Sequence, residues 1–376
     1  MRLAIGAPAI IVLAVVAGVF GPYGTVGAQT APVAFKLGTF ERAGQVFLGA
    51  VLRDSQVIDI AQANAALESG DAAVARVSMP GDMTELIGRY EAGLKQRLYA
   101  IVSQVARAQS PAPYVHDLAS LRTLPPVRPS LILNAGGNYS EHSQGIAAQQ
   151  ERATGAAAAP TPEAVTAPGI WERPANDARD NPYLFMKAPT VVTGPADPIR
   201  MPQGRERIDF ECEFAIVIGR PAKHVPIDRA ADYIFGYTIE IDVSDRGGRG
   251  DRKMGGSDWL VGKNHDTFAP LGPFLVPKEF VTTPTELRQT FTLNGEVMQD
   301  SNTSRMDHDI YELLHYASNI LTLNPGDLIS GGSPAGTNIE RAEPRWMRAG
   351  DTAVCTIEGI GTQTHPVVAA ESPGSR

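Results

Sequence analysis

Along residues 208–219, IDFECEFAIVIG, apolar and acidic positions alternate. Successive side chains of an extended chain face opposite ways. Phe210, Cys212, Phe214, Ile216 and Ile218 therefore share one face, and Asp209, Glu211, Glu213, Ala215 and Val217 the other. Both faces end apolar, which predicts a strand whose carboxylates run into the interior and need compensating charge. The stretch YIFGYTIEIDVSDR repeats the pattern, with Tyr233, Phe235, Tyr237, Ile239, Ile241 and Val243 opposed to Thr238, Glu240, Asp242 and Ser244.

Toward the N-terminus, FKLGTF and QVFLGAVL predict two short strands. A helix follows, capped by Asp82 and carrying Leu86, Ile87, Tyr90, Leu94, Leu98, Ile101 and Val105 at helical spacing. From Leu131 onward, short apolar runs punctuated by Gly and Pro predict a mainly β core, with one helix over Asp309–Leu321 that stops before Asn324-Pro325-Gly326. Residues 143–180 are rich in Ala, Pro and Gln and lack apolar periodicity, so they read as a lid or a disordered insertion. The expected class is α+β, mainly β, with a small N-terminal α+β domain (32–128) before a catalytic domain (129–370).

With 376 residues and 43% hydrophobic content, the chain can bury a sizeable core. A formal charge of −8 without Lys/Arg clusters argues against a nucleic-acid partner. Arg2, the apolar run Leu3–Phe20 and the small residues Val26, Gly27 and Ala28 predict a signal peptide over 1–28. Export to a periplasmic or secreted location follows, with no stable membrane association after cleavage; an uncleaved anchor is the competing reading. Cys212 and Cys355 are expected to be buried free thiols, with no disulfide.

If the two acidic faces meet, Glu211, Glu213 and Asp242 converge as oxygen ligands suited to Mg²⁺ or Mn²⁺ before Zn²⁺. The alternative is that both strands lie at a sheet edge with their acids in water.

The run from Leu131 to Val367 resembles the fumarylacetoacetate hydrolase family. The resemblance is carried by LILNAGGNYSEHSQ, LFMKAPTVVTGPADPIRMP, DFECEFAIVIGR, GYTIEIDVSDR, WLVGKNHDTFAPLGPFLV, LNGEVMQDSNTSRM and LTLNPGDLISGGSPAGT, in that order. It implies a mixed β-sandwich or β-roll catalytic domain, a homodimer, and a small anionic keto-acid substrate. By the same resemblance Glu211, Glu213 and Asp242 bind the metal, and Lys263 polarises a carbonyl or stabilises an enolate. His142 is then the general base, and Ser333, Arg246 and Tyr139 contact substrate. Gln299 and Asp300 are expected to be scaffold.

Three features depart from the pattern. Gly145 stands where many members have a Glu paired with the His, leaving Glu141, Glu151 or Glu172 as possible substitutes. Arg249 replaces a usual Gln, either favouring an anionic substrate or pairing with Asp245 or Asp251. Export is itself unusual for the family. The expected reaction is hydrolysis of a carbon–carbon bond in a 2,4-diketo acid, with His142 activating water. Its rivals are decarboxylation, isomerisation or dehydration at the same site, or metal binding without turnover.

Overall fold

The computed structural model describes residues 32–155, 165–250 and 258–370. The expected signal peptide at 1–28 lies outside these. The chain is α+β and mainly β, built on a twelve-stranded sheet and a five-stranded one. Across the larger sheet the principal order is Val115–Asp117, Gln56–Asp59, Gln45–Leu52, Lys36–Arg42, Ala269–Pro277, Ile234–Ile241, Cys212–Ile218, Leu328–Ser330, Ile132–Ala135 and Leu184–Lys187. The N-terminal strands continue the larger sheet directly, with Leu37 opposite Leu275. The smaller sheet runs Glu296–Asn302, Arg288–Leu293, Thr352–Ile357, Gly361–Val368 and Ile199–Arg200.

The apolar face of IDFECEFAIVIG packs against the smaller sheet. Phe210 stacks on Phe291 with ring centroids 4.2 Å apart, and one core cluster joins Phe214, Ile216, Ile239 and Ile241 to Leu293, Ala353 and Ile357. This packing corrects the expectation of free thiols: Cys212 and Cys355 form a disulfide linking the two sheets. Their Cα atoms lie 5.6 Å apart, within the usual span of such a bond. Their sequence separation of 143 conceals this proximity from any reading of spacing.

Asp82 caps its helix as expected, accepting from the Glu85 N–H at 2.8 Å. The single helix predicted after it is two, Met83–Arg89 and Lys95–Arg107, parted where Gly93 takes φ +113°, a conformation open to glycine without steric cost. The helix at Ile310–Ile320 starts at Asp309 with a capping box completed by Glu312.

Residues Ser140–Thr154, whose later part falls in the stretch read as lid or insertion, form a helix in which His142 is the buried residue. A helix that buries so little needs no apolar stripe, which is why its sequence shows none. Further along, Trp171 is buried beside His308 and His315. Arg179 bridges Asp177 and Glu312, with 2.8 Å contacts to each. Burial works to raise the Glu312 pKa, but hydrogen bonds from His308 and Arg179 prevail and push it down from 4.5 to about 2. A carboxyl depressed on folding stabilises the native state above its unfolded pKa, and that contribution is lost as pH falls through the folded value. Protection of the 165–181 amides, taken as the intrinsic exchange rate at each pH over the observed rate, is therefore expected to fall between pH 4.5 and 2. In Glu312→Gln protection should be low already at neutral pH and lack that step. A step unchanged by the substitution would show that Glu312 does not hold the segment.

Candidate active site

The two acidic strands are antiparallel neighbours, and their register places Glu213 opposite Glu240. Just beyond the ladder the Asp242 N–H donates to the Glu211 carbonyl at 2.8 Å. Like charges thus face one another in two successive rows, an arrangement unfavourable by itself. All four carboxylates are buried, together with Asp209, so the edge-strand alternative does not hold.

The chain's own cations answer first. Lys263 donates to Glu211 Oε2 at 2.5 Å and to Asp242 Oδ2. Arg246 donates to Glu211 Oε1 at 2.7 Å and to Asp209 Oδ2 at 3.2 Å. Beneath them Lys187 is wholly buried; its Nζ meets Asp242 Oδ1 at 2.5 Å and the Phe268 carbonyl at 2.6 Å, and lies 3.8 Å from Glu240. Five carboxylates facing three cations leave two formal negative charges, which one dication would balance.

The protonation tendencies locate that deficit. For Glu211, burial opposes ionisation, yet Arg246, Lys263 and His142 hold its pKa well below the ordinary value. For Glu213, burial followed by the charges of Asp242, Glu240 and Glu211 pushes it well above. Glu213 accepts hydrogen bonds from Asn134 Nδ2 at 3.3 Å and the Gly332 N–H at 3.2 Å, but among the described residues no cation pairs with it. Gly332 reaches that carboxylate with φ +87°, where a Cβ would stand 2.7 Å from the Ala135 carbonyl oxygen. Glu211, Glu213 and Asp242 each offer an oxygen, all within 4.8 Å of one another. An octahedral ion with bonds of about 2.1 Å needs oxygens roughly 3 to 4 Å apart, and three buried carboxylates are the donor set that hard dications take.

His142 sits on the first turn of the helix Ser140–Thr154. Its Nδ1 lies 2.5 Å from Glu340 Oε1, and its Nε2 lies 3.7 Å from Glu211 Oε1. The structure thus brings His142, Lys263 and Arg246 to the acidic cluster. Arg246, expected to pair with a substrate anion, is instead engaged by two buried acids. Tyr139 is buried with its hydroxyl accepting from Gln289 at 3.1 Å. The Ser333 hydroxyl donates to the Pro334 carbonyl at 3.1 Å and accepts from Gln299 at 2.9 Å, which gives Gln299 a bracing role.

Of the acids considered for His142, Glu141 pairs with Arg305 and Glu172 accepts from the Gly169 N–H, while Glu151 is exposed. Arg249 lies 3.5 Å from Asp258 and Asp245 pairs with Arg205, while Asp251, the other partner considered, lies outside the described residues. Sequence reasoning placed Asp209 and Glu240 on the acidic faces without giving them a role, and passed over Lys187 and Glu340. Of the two passed over, Lys187 had a signal, as a lone charge inside the apolar run LFMKAPTVV.

A family profile described as "Fumarylacetoacetate (FAA) hydrolase C-terminal" matches residues 132–368. Oxaloacetate tautomerase fahd2, mitochondrial, of Xenopus laevis is 40% identical over 187 residues, which span 50% of this chain and 58% of that one. The crystal structure of 5-carboxymethyl-2-hydroxymuconate delta-isomerase from Mycobacterium smegmatis superposes with a TM-score of 0.60 at 29% identity, over 90% of this chain and all of the other. Maleylpyruvate hydrolase from Sphingobium sp. SYK-6, solved with manganese(II) and pyruvate, gives 0.62 at 26% identity, over 89% and 100%. Export, expected from the N-terminal residues, is corrected by these matches, since the tautomerase relative is by name a mitochondrial protein.

Proposed function

Because this chain belongs to the fumarylacetoacetate hydrolase family, we propose that it is a Mg²⁺- or Mn²⁺-dependent enzyme that moves a proton on a small 2-oxo acid through its enolate, as a keto–enol tautomerase or isomerase. The reading is carried by the buried set Glu211, Glu213 and Asp242 with a single imidazole, His142, on its rim. Glu211, Glu213 and Asp242 would hold the ion, and a bound dication would supply Lewis-acid polarisation of the substrate carbonyl.

The remaining steps fall to the protein. In the keto-to-enol direction His142 removes the proton from the carbon beside the carbonyl and delivers it to the enolate oxygen; in the enol-to-keto direction it takes the hydroxyl proton and returns it to that carbon. The Lys263 ammonium, buried and pre-positioned, offsets the negative charge that develops on the enolate oxygen. Ser333 would contact the substrate carboxylate by exchanging its hydrogen bond to the Pro334 carbonyl for one to the anion, while Gln299 continues to donate to its oxygen. Burial of the whole cluster keeps bulk water from the carbanion.

Hydrolysis of a carbon–carbon bond in a 2,4-diketo acid is the second reading, favoured by the likeness to the maleylpyruvate hydrolase. The purified protein loaded with Mn²⁺ should accelerate the enol-to-keto conversion of oxaloacetate, followed by ultraviolet absorbance. A chelator should abolish the effect, and His142→Ala should lower the rate about 10² to 10⁴-fold. Release of pyruvate from acylpyruvates without tautomerase activity would select the hydrolase. Inertness toward both substrates with metal bound would overturn the proposal.

A further inference from the structure

We infer that the Cys212–Cys355 disulfide is a positioning element of the candidate metal site, and that breaking it lowers the affinity for a divalent cation. The inference rests on the reading of Glu211, Glu213 and Asp242 as metal ligands. Cys212 stands between Glu211 and Glu213, and alternation turns its side chain away from theirs, into the core between the two sheets. Cys355 meets it there from the middle strand of the smaller sheet, where it pairs with Phe291 on one side and Gln363 on the other. Both cysteines are fully buried. The bond therefore fixes the backbone from which both glutamates project.

The ladder holds that stretch of backbone from one edge only. The strand Ile234–Ile241 runs along it, with Cys212 opposite Ile241. On the other edge Leu328–Ser330 reaches no further than Ala215, and the Cys212 N–H is taken up by the Gln299 side chain at 3.1 Å. Repulsion acts on the same end, since Glu213 faces Glu240 and Glu211 adjoins Asp242 across the ladder. A dithiol reductant supplies two electrons and two protons, becomes a disulfide itself and leaves Cys212 and Cys355 as thiols. Two thiols need van der Waals separation in an interior that is close-packed. The strand end shifts to provide it, and repulsion directs the shift away from Asp242. A cation must then draw the carboxylates back together, so it binds more weakly.

Refolding sets the redox state, because a buried bond is shielded from reagents in the native protein. Full-length protein is unfolded in urea and refolded either in air or with dithiothreitol, the latter then desalted without oxygen. Calorimetric Mn²⁺ affinity should be about 10–100-fold lower in the reduced form, the size of effect that loss of a partner supporting a metal ligand has. Cys212→Ala/Cys355→Ala should bind as weakly after either treatment, which separates loss of the bond from any effect of the reagent. Amide exchange without metal gives a second readout. Protection over 211–214 should fall further on reduction than over 216–218 of the same strand, whereas a disulfide that only stabilises the whole fold lowers both alike. Equal Mn²⁺ affinity in folded oxidised and reduced protein overturns the inference, as does finding both thiols free after refolding in air. If neither form binds Mn²⁺ while protection over 211–214 follows the bond, the positioning stands and the metal-site reading fails.

Discussion

Glu213→Gln is expected to leave the metal-free protein as stable as the wild type or more so, and to abolish its response to Mn²⁺. Burial and three neighbouring carboxylates drive Glu213 toward protonation, as burial and Asp242 also drive Glu240, and Glu213 is the one of the two in the candidate metal-binding set. Removing its charge relieves repulsion while keeping the hydrogen-bond acceptor for Asn134 and Gly332. Wild-type protein should gain thermal stability with added Mn²⁺, because an ion that binds only the native state shifts unfolding by mass action. Calorimetric affinity in the variant should fall by more than the roughly 10–100-fold that loss of an outer partner costs. A variant that still binds Mn²⁺ with undiminished affinity would show that the three carboxylates are not the site.

Lys187→Met gives the opposite pattern. The methionine fits the apolar stem's space, but Asp242 and the Phe268 carbonyl lose their donor in a fully buried position. Breaking a buried pair from one side costs about 3–5 kcal/mol, against which the new apolar contacts recover little. Urea denaturation should show that loss in metal-free protein. Added Mn²⁺ should restore a large part of it, since the ion neutralises the carboxylates that the ammonium formerly did. Stability equal to the wild type without metal would mean that Asp242 does not need this lysine.

These two residues mark where the sequence could and could not be read. Alternation alone placed Glu211, Glu213 and Asp242 on faces able to meet, because side-chain direction in a strand is a local property. It also aligned Glu240 with them, yet nothing local indicated that register would set Glu240 opposite Glu213. Lys187 and Glu340 reach the cluster from strands and turns far along the chain, and the Cys212–Cys355 bond depends on two sheets packing face to face. Such partners are fixed by topology, which no window of neighbouring residues contains. The helix Ser140–Thr154 escaped for another reason: it lies on the surface, and burial is what writes periodicity into a helical sequence.

The pairing of Leu37 with Leu275 bears on how the protein can be divided. The family profile begins at residue 132, but a fragment cut there would strip the partner from one edge of the strand Ala269–Pro277 and the cover from Leu271 and Leu275. Bare backbone donors and acceptors beside exposed leucines invite intermolecular strand addition. Recombinant truncations that follow the profile's limits would therefore tend toward insoluble material, and soluble expression calls for keeping the preceding hundred or so residues attached.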